Sequence, residues 1–122
     1  VEAGSLIQGH VVDSLEEWRV AKALVILERE FYYQFPIGPL GVKGSYIVDF
    51  YVEGVPSWIP LEVMSVRWHT GIFTKDEKLR AAIIAQVLHA KVRYIWEGNL
   101  QTLGDAIVNL QRVLTEPIKE MF

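Results

Sequence analysis

Two carboxylates sit where a folded chain can least tolerate them. Asp49 lies in the middle of SYIVDFYV at 45–52, and Glu62 in the middle of IPLEVM at 59–64. Both segments are β-branched, aromatic or aliphatic on either side of the acid and read as strands. A carboxylate inside such a segment is costly unless it is paired or holds a cation. Alternation places Ile47, Asp49 and Tyr51 on one face of the first strand, and Glu62 and Met64 on one face of the second. A turn at Gly54, Val55, Pro56 and Ser57 would pair the strands and bring the two acids together. Two hard oxygen donors at one point suit Mg²⁺ or Mn²⁺.

The surrounding sequence supplies an α/β frame of a size that suits one domain over 1–122. Residues 1–12 have no clear period and read in part as a flexible arm. Ser14 and Glu17 have capping-box spacing and open a helix to about Arg29, with Val20, Ala21, Leu24 and Leu27 as its apolar stripe. A first strand is expected at 31–35 and a Gly- and Pro-rich loop at 36–44. The two acid-bearing strands follow. Thr74 and Glu77 open a second helix to about Ala90, whose apolar face is read as Leu79, Ala82, Ile83, Gln86 and Val87. A strand is expected at 91–96, and a last helix capped by Thr102 carries Leu103, Ile107, Leu110 and Leu114 on one face. The order α-β-β-β-α-β-α implies helices around a mixed sheet.

Composition narrows the chemistry. The chain has no Cys, which excludes disulfides and thiolate zinc sites. No apolar run reaches the roughly 20 residues needed to span a membrane, and the N-terminal residues do not read as a signal peptide. A soluble, cytoplasmic protein is therefore the expectation. The net charge of -3 does not advertise nucleic-acid binding. A basic face drawn from Lys43, Arg67, Lys75, Lys78, Arg80, Lys91 and Arg93 remains open, beside the alternative that these are ordinary solvated cations.

The order of elements and the two strand acids together resemble the PD-(D/E)xK nuclease superfamily, over about 14–96. The resemblance implies a restriction-endonuclease-like αβββαβ core. It places Asp49 at the strand Asp, Glu62 at the second acid and Glu17 at the helix acid. It also implies that Asp49, Glu62 and the Val63 carbonyl ligate Mg²⁺ or Mn²⁺. The sequence resembles archaeal-type Holliday-junction resolvases in its early helix Glu, its strand Asp and its chain size. That implies a homodimer that cuts branched DNA. The run LEVMSVRWH at 61–69 also looks like small very-short-patch-repair-like endonucleases, which implies a nicking enzyme instead. A catalytically inactive nuclease-fold DNA-binding module is a third reading. Its main support is Met64, which stands where the superfamily has a Lys. Met can neither orient an attacking water nor stabilise developing charge. Lys78, Arg67 and Lys43 are the candidates for a substitute cation. Lys43, Arg67, Lys75 and Lys78 are the expected DNA contacts. Glu17 is equally well explained as the third residue of a capping box. His69 fits a general base or a phosphate contact, and equally a packed loop residue beside Trp68.

Overall fold

A computed structural model describes residues 6–12, 14–38, 46–64 and 74–115. Among these residues the chain is α/β, with a mixed four-stranded sheet, three α-helices and a small N-terminal hairpin. The hairpin strands are β1 (Leu6–Ile7) and β2 (His10–Val11). Then come α1 (Leu15–Ile26), β3 (Phe31–Ile37), β4 (Tyr46–Val52), β5 (Ile59–Met64), α2 (Lys75–Leu88), β6 (Arg93–Trp96) and α3 (Leu103–Thr115). The sheet order is β3-β4-β5-β6, antiparallel except for the parallel β5–β6 pair. The seven main elements keep the order read from the sequence.

The N-terminal segment corrects that reading. Residues 6–11 form a hairpin rather than an arm, and Ile7 is buried in the main core. The hairpin turn carries Gln8 at φ 50, and the Gln8 side-chain amide docks on the edge of β3. Its Oε1 accepts from the Tyr33 N–H at 2.7 Å, and its Nε2 donates to the Phe31 carbonyl. One side chain thus does for the β3 edge what a neighbouring strand would do.

Two apolar clusters hold the layers. The larger unites Val20, Ala21, Ala23 and Leu24 of α1 with Tyr33, Phe50, Val52, Leu61 and Ile95 of the sheet and Ala106, Leu110 and Leu114 of α3. The stripes expected on α1 and α3 face this cluster, with Val20, Ala21, Leu24, Leu110 and Leu114 buried and Leu27, Leu103 and Ile107 packed against it, and Ala23 and Ala106 are buried beside them. The smaller cluster joins Ala81 and Ile84 of α2 to Ile37, Val48 and Val92. Here the sequence reading needs correction. Leu79 and Val87 are 58% and 47% exposed, and the buried line of α2 runs through Ala81 and Ile84.

Helix ends also differ from the expected boundaries. The α1 helix closes at Ile26 because Glu28 takes a left-handed φ of 58°, letting the Arg29 N–H reach the Leu24 carbonyl at 2.9 Å. The α2 helix closes at Leu88 with His89 left-handed at φ 54. Both are glycine-type closures made without glycine. Strand β3 runs two residues beyond the expected end, through Pro36, which an edge strand tolerates. Pro60 sits in β5, but β6 begins to pair only at Leu61, so Pro60 has a sheet neighbour on one side. The β4–β5 connection closes tightly at Gly54, where a Cβ would lie 2.7 Å from the Ser57 carbonyl oxygen.

Candidate active site

The acids meet at the point where the β4–β5 ladder stops being a backbone ladder. Phe50 pairs with Leu61, and extending that register by one sets Asp49 opposite Glu62. There the side chains replace the main-chain partners. The Asp49 N–H donates to Glu62 Oε2 at 3.2 Å, and the Val63 N–H donates to Asp49 Oδ2 at 2.9 Å. Each carboxylate therefore satisfies a donor on the opposite strand, which holds both acids at the parting of the strands.

The local electrostatics are unusual. Glu62 is 6% exposed, the one buried charged residue among the described residues. Burial pushes the Asp49 carboxyl up to about 8 from 3.8, helped by the Glu62 charge and a side-chain hydrogen bond between the two acids. The Val63 N–H opposes the rise, and the Glu17 charge adds to it. Asp49 thus holds a proton near neutrality until a cation or a change of pH removes it.

Glu17 reaches this site as an electrostatic neighbour while also serving α1. Its N–H donates to the Ser14 hydroxyl at 3.1 Å, completing the N-cap. Its Oε1 accepts from the Tyr33 hydroxyl at 2.8 Å. The N-cap contact of Glu17 is present and its charge acts on Asp49, but among the described residues it joins no group of three acids able to hold a metal ion.

Strand β3 supplies a strained neighbour. Tyr33 pairs with Phe50 and Phe35 with Val48, so Gln34 falls opposite Asp49. Gln34 has φ 56, a left-handed conformation rare within a strand. It inverts the alternation. Tyr33 enters the α1–α3 core, while Phe35 stacks on Tyr51, on the Asp49 face, with ring centroids 4.8 Å apart. Backbone strain of this kind persists only where surrounding packing over-determines it, and it gathers at functional sites.

Met64 lines the same concavity of about 290 Å³ as Asp49 and Glu62, together with Arg80, Glu77 and Tyr94. Among the described residues the cation at this site comes from α2. Arg80 Nη2 lies 2.6 Å from Glu62 Oε1, its Nε 3.1 Å from the same oxygen, and Nη2 also donates to the Ile47 carbonyl at 2.6 Å. The guanidinium carbon is 5.2 Å from the Tyr46 ring centroid. Burial and the Glu62 and Glu77 charges push the Tyr94 hydroxyl up to about 12 against the pull of Arg80, so it remains a donor. Lys78, the described candidate for the substitute cation, is exposed, as is Lys75, and neither lines this concavity. Lys43, Arg67 and His69 lie outside the described residues. Sequence reasoning counted Arg80 only as part of a basic face. A correct α2 face would have found it, because Arg80 precedes Ala81 by one residue and Ile84 by one turn.

A wider concavity of about 790 Å³ lies around the β4–β5 turn. Its arginines are committed to main-chain carbonyls, Arg29 to Glu53 at 2.9 Å and Arg93 to Val113 at 2.5 Å. Among the described residues no three His, Cys, Asp or Glu side chains form a group that could hold a metal ion, so a cation here would rest on two carboxylates and main-chain oxygen. No family model, curated protein or solved structure matches this chain.

Proposed function

We propose that this chain is a metal-dependent DNA endonuclease of the restriction-endonuclease-like fold, acting on branched DNA as a Holliday-junction resolvase. The observation that carries this reading is the contact between Asp49 and Glu62 across β4 and β5, at the residue where carboxylates take over the strand ladder. The element order and the mixed sheet are compatible with the fold.

The donors suit a hard divalent cation. Once Asp49 gives up its proton, the two carboxylates in contact, with Glu17 near, carry more negative charge than Arg80 neutralises among the described residues. Asp49, Glu62 and the Val63 carbonyl would hold Mg²⁺ or Mn²⁺. Such a cation supplies Lewis-acid neutralisation of a phosphodiester and makes water more acidic. Asp49 must give up its proton to serve as a ligand. Glu17, held by Tyr33, adds negative potential beside the site. Hydrolysis would form a new bond from water oxygen to phosphorus and release the 3′ oxygen with a proton, leaving a 5′-phosphate. Lys75 and Lys78, exposed at the start of α2, would meet flanking phosphates. Two copies are needed to resolve a junction, which favours a homodimer. No element suggests base reading, which favours recognition of shape.

A second reading, a nuclease-fold DNA-binding module without activity, draws on Met64 and on the engagement of Glu62 by Arg80. The test is cleavage of a labelled four-way junction, a nicked or mismatched duplex and a matched linear duplex, with Mg²⁺, Mn²⁺ or EDTA. The proposal expects metal-dependent cutting of the junction, lost in Asp49→Asn with DNA binding retained. Preference for the nicked or mismatched duplex would favour the very-short-patch-repair-like alternative. Binding without cutting would favour the inactive module.

A further inference from the structure

The α2 arginine occupies the gap that Met64 leaves. Met64 lies two residues beyond Glu62 on the same strand face and lines the same concavity, but it brings no charge. Arg80 enters from α2, with Nε and Nη2 both on Glu62 Oε1. The exposures of the two partners differ. The Arg80 side chain is 35% exposed and the Glu62 side chain 8%. The guanidinium therefore stands at the mouth and the carboxylate lies inside. Among the described residues Arg80 bonds through Nε and Nη2. A phosphate approaching Asp49 and Glu62 meets Arg80 first.

We propose that Arg80 is the phosphate-binding residue of this site and its resting counter-cation: the guanidinium that holds Glu62 in the free protein turns to a non-bridging phosphate oxygen when a divalent cation takes the carboxylates. The proposal rests on the nuclease reading for its substrate. The chemistry follows from the fork of the guanidinium, which suits carboxylate and phosphate oxygens equally. Planar recognition of two oxyanions allows the exchange without a change of partner type. The Ile47 carbonyl, 2.6 Å from Nη2, and the Tyr46 ring keep the group at the mouth while it exchanges.

The test pairs two readouts on Arg80→Met, Arg80→Lys and the double variant Met64→Lys/Arg80→Met, each checked for folding by circular dichroism. The first readout is Mn²⁺ affinity by electron paramagnetic resonance without DNA. Removing the competing cation should tighten Mn²⁺ binding in Arg80→Met by about tenfold, within the usual range for coupled sites. The second is single-turnover cleavage of the four-way junction. Arg80→Met should cut about a hundredfold more slowly, the scale for losing one preorganised donor. Arg80→Lys should retain part of the rate, and Lys at position 64 should recover at least part of the loss in the double variant. Unchanged Mn²⁺ affinity in Arg80→Met overturns the counter-cation role. Cleavage at the wild-type rate overturns the phosphate role. Parallel loss of metal binding and cutting, without rescue, makes Arg80 a structural prop and overturns both. If the wild type binds Mn²⁺ but cuts no DNA, the nuclease reading and the phosphate role fail together, while tighter Mn²⁺ binding in Arg80→Met still upholds the counter-cation role.

Discussion

The two halves of the β4–β5 pair obey different physics. From Phe50 to Val52 the strand pairs with Leu61, Pro60 and Ile59, and Phe50, Val52 and Leu61 are wholly buried between α1 and α3. One residue further along, Asp49 and Glu62 exchange side-chain hydrogen bonds for ladder bonds, and their stabilisation depends on charge. The apolar half is held by burial, which is insensitive to pH and to cations. The acidic half is held by protons, Arg80 and hydrogen bonds. A fold can carry a poised pair of acids only if the neighbouring half keeps the strands in register.

The largest expected effect lies in the apolar half. Phe50→Ala should cost about 3–5 kcal/mol, the range for deleting a buried aromatic side chain. Thermal or denaturant unfolding should show this loss equally at pH 5 and pH 9. A loss confined to one pH would break the contrast between the halves.

In the acidic half, Glu62→Gln should cost about 1–3 kcal/mol by weakening the partner of Arg80. Unfolding of this variant should lose its salt sensitivity relative to the wild type. A variant as stable as the wild type would mean that the ion pair contributes nothing.

Asp49 gives a pH-dependent effect with a definite sign. Its folded carboxyl lies at about 8 against 3.8 for the ordinary group, mainly through burial and then the Glu62 charge. Between these values the folded state holds a proton that the unfolded state has released. The stabilisation from that proton is present in full below about 4 and is lost as pH rises through about 8. Asp49→Asn should remove this slope, so the variant should gain stability relative to the wild type between pH 6 and pH 9. Parallel stability curves for the two proteins would show that Asp49 is ionised throughout.

The smallest change is expected at the surface. Lys78→Ala should alter stability by no more than about 0.5 kcal/mol. If Lys78 meets DNA, its loss should reduce the salt dependence of binding by about one phosphate contact. An unchanged salt slope would remove it from the DNA surface.

Much of this was legible in the sequence because it depends on local pattern. The stripes of α1 and α3 follow from helical periodicity, and the Asp49–Glu62 contact follows from strand alternation and a short turn. The misses have a common cause in long-range structure. Glu28, Gln34 and His89 adopt left-handed backbone without being glycine, so they leave no mark that would place two helix ends or the inversion in β3. Leu79 and Val87 are apolar but exposed, so α2 read by hydropathy alone turns the wrong face inward and hides Arg80. The hairpin depends on Gln8 reaching an edge strand more than twenty residues away, which no local window contains.

The most direct test of the central claim is a calorimetric titration of Mn²⁺ into the wild type and Asp49→Asn at pH 7, in buffers of different ionisation heat. Because Asp49 holds its proton there, a cation that binds through it must displace that proton. The account predicts saturable binding to the wild type with release of about one proton per cation, and no comparable binding to Asp49→Asn. Equal binding by both proteins, or binding to the wild type without proton release, would contradict it.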